Sequence, residues 1–229
     1  MKQDTDVLSS LPGSDTTATS MAALMFYLCH YPKAYAKVTA EIRAAFPNAN
    51  SVRLGPGLNS CIYLRACLDE TLRMSPAVGS ALWREVLGGG LIIDGNYVPA
   101  GTDVGTGIYS IHHKEEYFHQ PFVFHPERWM DGKETNPAMA EKMAKGRAAY
   151  NPFSIGVRGC IGKSLAVNQL LLTMARLIVE FDFKSASGLT GSTDSVFGSQ
   201  VFNEYQMKDH LIGCRDGPMV KFRKVPVVA

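Results

Sequence analysis

Ten residues constrain this chain more than any others: Phe153-Ser154-Ile155-Gly156-Val157-Arg158-Gly159-Cys160-Ile161-Gly162. Three glycines and an arginine surround one cysteine, and an apolar series at helical spacing (Leu165, Leu170, Leu171, Met174, Leu177, Ile178) starts directly afterwards. Glycine permits unusual backbone angles and lets a flat ligand approach the main chain. A helix N-terminus and a neighbouring guanidinium both favour thiolate over thiol. The segment therefore reads as a tight loop that prepares Cys160 to bind metal. The glycine spacing also fits a phosphate loop, or a buried thiol beside a turn, but no P-loop Lys-Ser pattern and no preceding strand pattern accompanies it.

The other cysteines (Cys29, Cys61, Cys67, Cys214) form no CxxC pair and bring the total to the odd number of five, against a disulfide framework or a structural zinc site. With 229 residues, 46% of them hydrophobic, the chain can bury a sizeable core. Its formal net charge of +2 makes nucleic acid a poor partner. The polar start Met1–Asp6 lacks the features of a secretion signal, and the apolar stretch 21–29 is far shorter than the ~20 residues that span a bilayer. Neither anchor nor signal is expected in this chain.

Met21, Ala22, Leu24, Met25 and Leu28 predict a first helix over 14–30, and Tyr35, Val38, Ile42 and Phe46 a second. Leu64, Leu68 and Leu72 mark a third, closed by Ser75-Pro76. Proline is tolerated at the first helical position, so the first helix is expected to start near Pro12, with Ser10 or a neighbour as its cap. Asp94-Gly95 between Leu91-Ile92-Ile93 and Tyr97-Val98 predicts a hairpin. From His112 to Tyr150 the chain reads as a meandering surface segment with short helices, in which His112, His113, His119 and His125 are surface side chains without a ligand role. Hairpin-like sequence rich in Gly and Ser follows the last helix.

The ten-residue segment resembles, at every defined position, the Phe-x-x-Gly-x-Arg-x-Cys-x-Gly signature of the cytochrome P450 family. Glu70-Thr71-Leu72-Arg73 resembles that family's Glu-x-x-Arg motif, and Pro126-Glu127-Arg128-Trp129 its later Pro-Glu-Arg segment. Gly13-Ser14-Asp15-Thr16-Thr17 is similar to its oxygen-activation segment, although Ser, Asp and Thr also suit a helix start. The resemblance implies a mainly α fold with small β hairpins, equivalent to the C-terminal half of the family fold and cut at the central oxygen-activation helix. On that basis 1–12 is a segment outside the family pattern and 13–229 the family portion.

It implies heme b as cofactor, with Cys160 the thiolate on iron and Phe153, Gly156, Arg158 and Gly162 shaping the loop. Arg84 and Arg158 then face the propionates, whose carboxylates suit the guanidinium fork. Asp15 relays protons and Thr16 steadies the oxygen being activated. Glu70, Arg73 and Arg128 form a buried network that holds the meander. Val78–Leu82 and Phe197–Phe202 match pocket-lining segments, or are ordinary core. Lys142, Lys145, Arg147 and Lys163 offer a basic face to an acidic electron donor, or are a solvated cluster.

The family activity is a monooxygenase reaction that inserts one oxygen atom from O2 into a small apolar substrate, fed by an NADPH-dependent reductase. The style of the chain resembles fungal members of secondary metabolism. Family members are usually anchored to the endoplasmic reticulum. The other reading is a non-catalytic remnant or an incomplete gene model, which Pro12 and the short stretch before it favour.

Overall fold

The computed structural model describes residues 4–130, 137–186, 204–208 and 212–226. Among the described residues seven α-helices carry the fold: α1 (Asp4–His30), α2 (Pro32–Ala45), α3 (Pro56–Asn59), α4 (Ile62–Met74), α5 (Ile108–His112), α6 (Pro137–Ala149) and α7 (Lys163–Glu180). Four antiparallel strand pairs complete the described residues. They are β1 (Arg84–Glu85) with β4 (Asp103–Val104), β2 (Leu91–Ile93) with β3 (Asn96–Val98), β5 (Phe181–Ser185) with β8 (Val220–Lys224), and β6 (Met207–Lys208) with β7 (Cys214–Arg215). The expected mainly α fold with small hairpins is the observed one.

The core forms where helical stripes meet. Val38 and Ile42 of α2, Leu24, Tyr27 and Leu28 of α1, Leu64 and Leu68 of α4, and Leu170, Met174 and Ile178 of α7 are all buried in one cluster. Each large aliphatic side chain so removed from water contributes roughly 1.5–3 kcal/mol. α4 is central, packed against α1, α2 and α7, and even its Glu70 and Arg73 are fully buried. Pro32 starts α2 directly after α1, where the Tyr31 amide donates to the Tyr27 carbonyl at 2.8 Å and turns the chain without a gap. In the β2–β3 hairpin Asp94 and Gly95 both take positive φ (49° and 77°), the geometry of a two-residue turn.

The start of the first helix corrects the sequence reading. α1 begins at Asp4, eight residues before Pro12, and runs through the proline. Residues 17–28 are locked into the core, so the nucleation cost is already met, and extending the helix past one missing backbone donor costs less than starting it anew.

Gly146 decides how α6 meets the meander. A Cβ there would lie 2.7 Å from the Tyr117 carbonyl oxygen and 3.3 Å from the Phe118 ring. Gly146→Ala is therefore expected to push α6 off this segment and to destabilise by about 1–3 kcal/mol, even though alanine is the better helix former. A urea midpoint unchanged or raised in the variant would contradict this packing.

Candidate functional site at the Cys160 loop

The loop before α7 is built from its own backbone bonds. The Ser154 amide donates to the Asn151 carbonyl at 2.8 Å, Gly159 to Gly156 at 3.0 Å, and Cys160 to Phe153 at 2.9 Å. Gly156 takes φ +71°, which a side chain would strain, and Ser154 takes +59°. Lys163, the first residue of α7, places its ammonium over the Phe153 ring at 5.8 Å to the centroid. A Cβ on Gly162 would stand 3.8 Å from the Cys160 sulfur, an ordinary contact distance. Cys160 is exposed.

Around it the surface is apolar and uncovered. Val157 and Ile161 are fully exposed (102% and 105%), and Ile155 and Leu165 are largely so. An open recess runs from this loop to β1 and β4, lined by Leu82, Trp83, Arg84, Val104, Gly156 and Arg158 among others. Arg84 is held there by its Nη1, which donates to the Trp83 carbonyl at 2.8 Å. The resemblance sets two guanidiniums beside the Cys160 loop, and the fold gives both to one recess. Apolar walls and two cations suit a flat apolar group bearing carboxylates, and the Cys160 thiol lies two residues beyond Arg158 on the same loop. Among the described residues no three His, Cys, Asp or Glu side chains converge to hold a metal.

Behind the loop lies the charge network. Arg73 pairs with Glu70 through two bonds, Nε to Oε2 and Nη2 to Oε1, both 3.0 Å, with neither side chain exposed. Arg128 Nε donates to Glu70 Oε1 at 3.0 Å, so the expected Glu70-Arg73-Arg128 set is assembled. Two further donors complete it: the His125 amide at 3.0 Å and Trp129 Nε1 at 2.8 Å. Burial alone would raise the Glu70 carboxyl, but the charge and hydrogen bonds of Arg73, then Arg128 and the His125 amide, outweigh it and hold the carboxyl below its ordinary value.

His112 and His113 are not surface residues. His112 is fully buried and His113 nearly so, because the short helix α5 turns both rings inward. His112 Nδ1 lies 3.1 Å from the Arg73 carbonyl, and the Asn151 amide donates to His112 Nε2 at 3.1 Å. His113 faces Glu204 at 3.3 Å, and the Tyr109 hydroxyl donates to the same carboxylate at 2.9 Å. His119 and His125 are exposed, as expected. Ile108 and His112 stand four apart on α5, and that spacing is the one sequence signal that could have placed His112 inside.

Asp15 and Thr16 lie on α1, Asp15 exposed, and neither lines the Arg84–Arg158 recess. Arg215 Nη1 reaches this turn from β7, donating to Thr19 Oγ1 at 2.8 Å. Of the basic face, Lys142 pairs with Glu115 at 3.3 Å and Lys145 with Glu141 at 2.9 Å. Val78–Leu82 is half-buried, with Gly79, Ser80 and Ala81 lining a second recess. Phe197–Phe202 lies outside the described residues. Among those residues no helix is long and apolar enough to cross a membrane.

The family model for cytochrome P450 matches residues 10–196. The chain is 44% identical over 210 residues to a cytochrome P450 monooxygenase of Gibberella fujikuroi, covering 92% of this chain and 56% of that protein. To a monooxygenase of the same name class from Alternaria alternata it is 42% identical over 219 residues, 93% of this chain and 42% of the relative. A third, from Purpureocillium lilacinum, is 44% identical over 210 residues, 92% and 61% respectively. The chain spans about half the length of the curated relatives it matches.

Proposed function

This chain belongs to the cytochrome P450 family, and from that premise we propose that it binds heme through the Cys160 thiolate and serves a monooxygenase reaction on a small apolar substrate. The observation that carries this reading is the joining of an exposed thiol, an uncovered apolar surface and two guanidiniums around one loop. Heme, when bound, supplies the redox centre at which O2 is activated, and a thiolate ligand donates electron density to it.

The chain's own residues then have separable tasks. Cys160 gives the sulfur ligand, and the loop bonds at Phe153 and Gly156 hold that sulfur where the α7 N-terminus begins. Arg84 and Arg158 bind and orient the two carboxylates, excluding rotation of the ring. Val157, Ile155 and Ile161 would lie against the macrocycle face, each gaining roughly 1.5–3 kcal/mol on losing water. Asp15 would supply the carboxylate and Thr16 the hydroxyl beside it for proton delivery, the roles that the resemblance implies. An NADPH-dependent reductase supplies electrons, and the resemblance to fungal secondary-metabolism members supports that pathway class.

The test is spectroscopic. Expressed with heme precursor, the reduced, carbon-monoxide-bound chain is expected to show a thiolate-type, red-shifted Soret band, and Cys160→Ser to abolish it. A band in the wild type that survives in Cys160→Ser would assign the ligand elsewhere, and no red-shifted band in either would favour the non-catalytic reading.

A further inference from the structure

One buried side chain joins the charge network to the cysteine loop. Arg73 Nη1 donates to the His112 carbonyl at 2.9 Å while His112 Nδ1 lies 3.1 Å from the Arg73 carbonyl, a reciprocal pair that fixes α5 to the end of α4. The far ring nitrogen, Nε2, takes the Asn151 amide at 3.1 Å. Asn151 is where the cysteine loop begins, since its carbonyl receives the Ser154 amide and the Phe153 carbonyl receives Cys160. A carbonyl can only accept and an amide N–H can only donate, so the ring must be the neutral tautomer with hydrogen on Nδ1. Stacking fixes its plane: the Tyr150 ring lies 5.5 Å away at 26°, and Phe118 meets it edge-on at 6.1 Å. Tyr150 is itself anchored by its hydroxyl, which donates to Asp69 of α4 at 3.0 Å.

We propose that His112 is a positioning residue, whose ring transmits the fixed geometry of the Glu70–Arg73 pair to the start of the Cys160 loop and so sets where the sulfur sits. In its consequence for heme the inference rests on the heme-thiolate reading above; in its consequence for the loop it does not. A two-sided imidazole suits the task because one rigid ring spans a carbonyl and an amide that belong to segments thirty-nine residues away on either side.

The two nitrogens can be tested apart. Asparagine places its amide near the Nδ1 position and can still meet the Arg73 carbonyl, but it falls short of Asn151. Glutamine places an acceptor near the Nε2 position and reaches the Asn151 amide. In the heme-free chain, His112→Asn is expected to speed hydrogen exchange at the Asn151, Ser154 and Cys160 amides about tenfold or more, while the His125 amide on Glu70 keeps its protection. His112→Gln is expected to restore the loop amides. With heme bound, His112→Asn is expected to lower the red-shifted fraction of the carbon-monoxide spectrum, and His112→Gln to recover it.

Equal loss at His125 and Cys160 would reduce His112 to general structural support, and unchanged loop amides in His112→Asn would overturn the proposal outright. If His112→Asn does not fold, the wild-type ring decides: nitrogen NMR must find hydrogen on Nδ1 and none on Nε2, and the opposite tautomer refutes the link. A wild type without a red-shifted band would sink the heme reading alone, leaving the exchange comparison valid.

Discussion

Arg73→Ala is expected to cost about 3–5 kcal/mol of folding stability and, with it, retention of any bound heme. The size follows from what remains rather than from what is removed. Glu70 has no exposed surface, and without Arg73 it loses two of its charge-assisted bonds while staying ionised in a dry site. Arg128, partly exposed at 12%, cannot shift to fill both places, because its own Nη1 already holds the His119 carbonyl at 3.1 Å. Urea titration of wild type, Arg73→Ala and the double variant Arg73→Met/Glu70→Gln checks the argument. The double variant should lose less than the single, because no buried carboxylate is left short of its partner and the charge it does leave unpaired, on Arg128, is partly exposed. A single-variant loss under about 1 kcal/mol would mean that water reaches Glu70.

Mild acid should destabilise the chain over two pH ranges, the first set by His112. Its folded imidazole is pushed down to about 4 from an ordinary 6.5, chiefly by burial, with the charges of Arg73 and His113 acting in the same sense and the hydrogen bonds to Arg73 and Asn151 opposing. As pH falls through 6.5 the unfolded chain takes up a proton that the folded chain refuses. The His112 contribution is therefore complete above 6.5 and shrinks until about pH 4, by ~3 kcal/mol in total. Glu70 acts lower down: its folded carboxyl is depressed, so its contribution is present above the ordinary carboxylate value and is lost as pH drops through the folded one. Stability measured from pH 7 to 5 should fall in wild type and stay nearly flat over that window in His112→Gln. A wild-type curve without slope between 6.5 and 4 would show that the ring is hydrated.

Much of this was legible in the chain. The apolar stripes of α2, α4 and α7 gave their helices because each helix buries one face and advertises it. Asp94-Gly95 announced its turn because few dipeptides tolerate two positive φ values. The Glu70-Arg73-Arg128 set, which the structure assembles, was legible through two short fixed patterns that a family resemblance could read.

What escaped depends on partners distant in sequence. Histidine in an irregular polar stretch looks solvated, and nothing local to His112 shows that a carbonyl on α4 and an amide before the cysteine loop will close on its two nitrogens. Trp129 was visible as part of a motif but not as a third side chain on Glu70, since indole donors leave no periodic trace. The helix start was misplaced because Pro12 is a strong local stop signal, whereas continuation was decided by packing further along α1.

The crowding at Glu70 also bears on how the chain opens. Donors from Arg73 on α4 and from His125, Arg128 and Trp129 all end on two oxygens. Lifting the 125–129 turn away therefore strips three donors from one carboxylate at once. Partial opening there is not a cheap excursion but a step toward global unfolding, and the meander, for all its irregular backbone, belongs to the same cooperative unit as the helix beneath it.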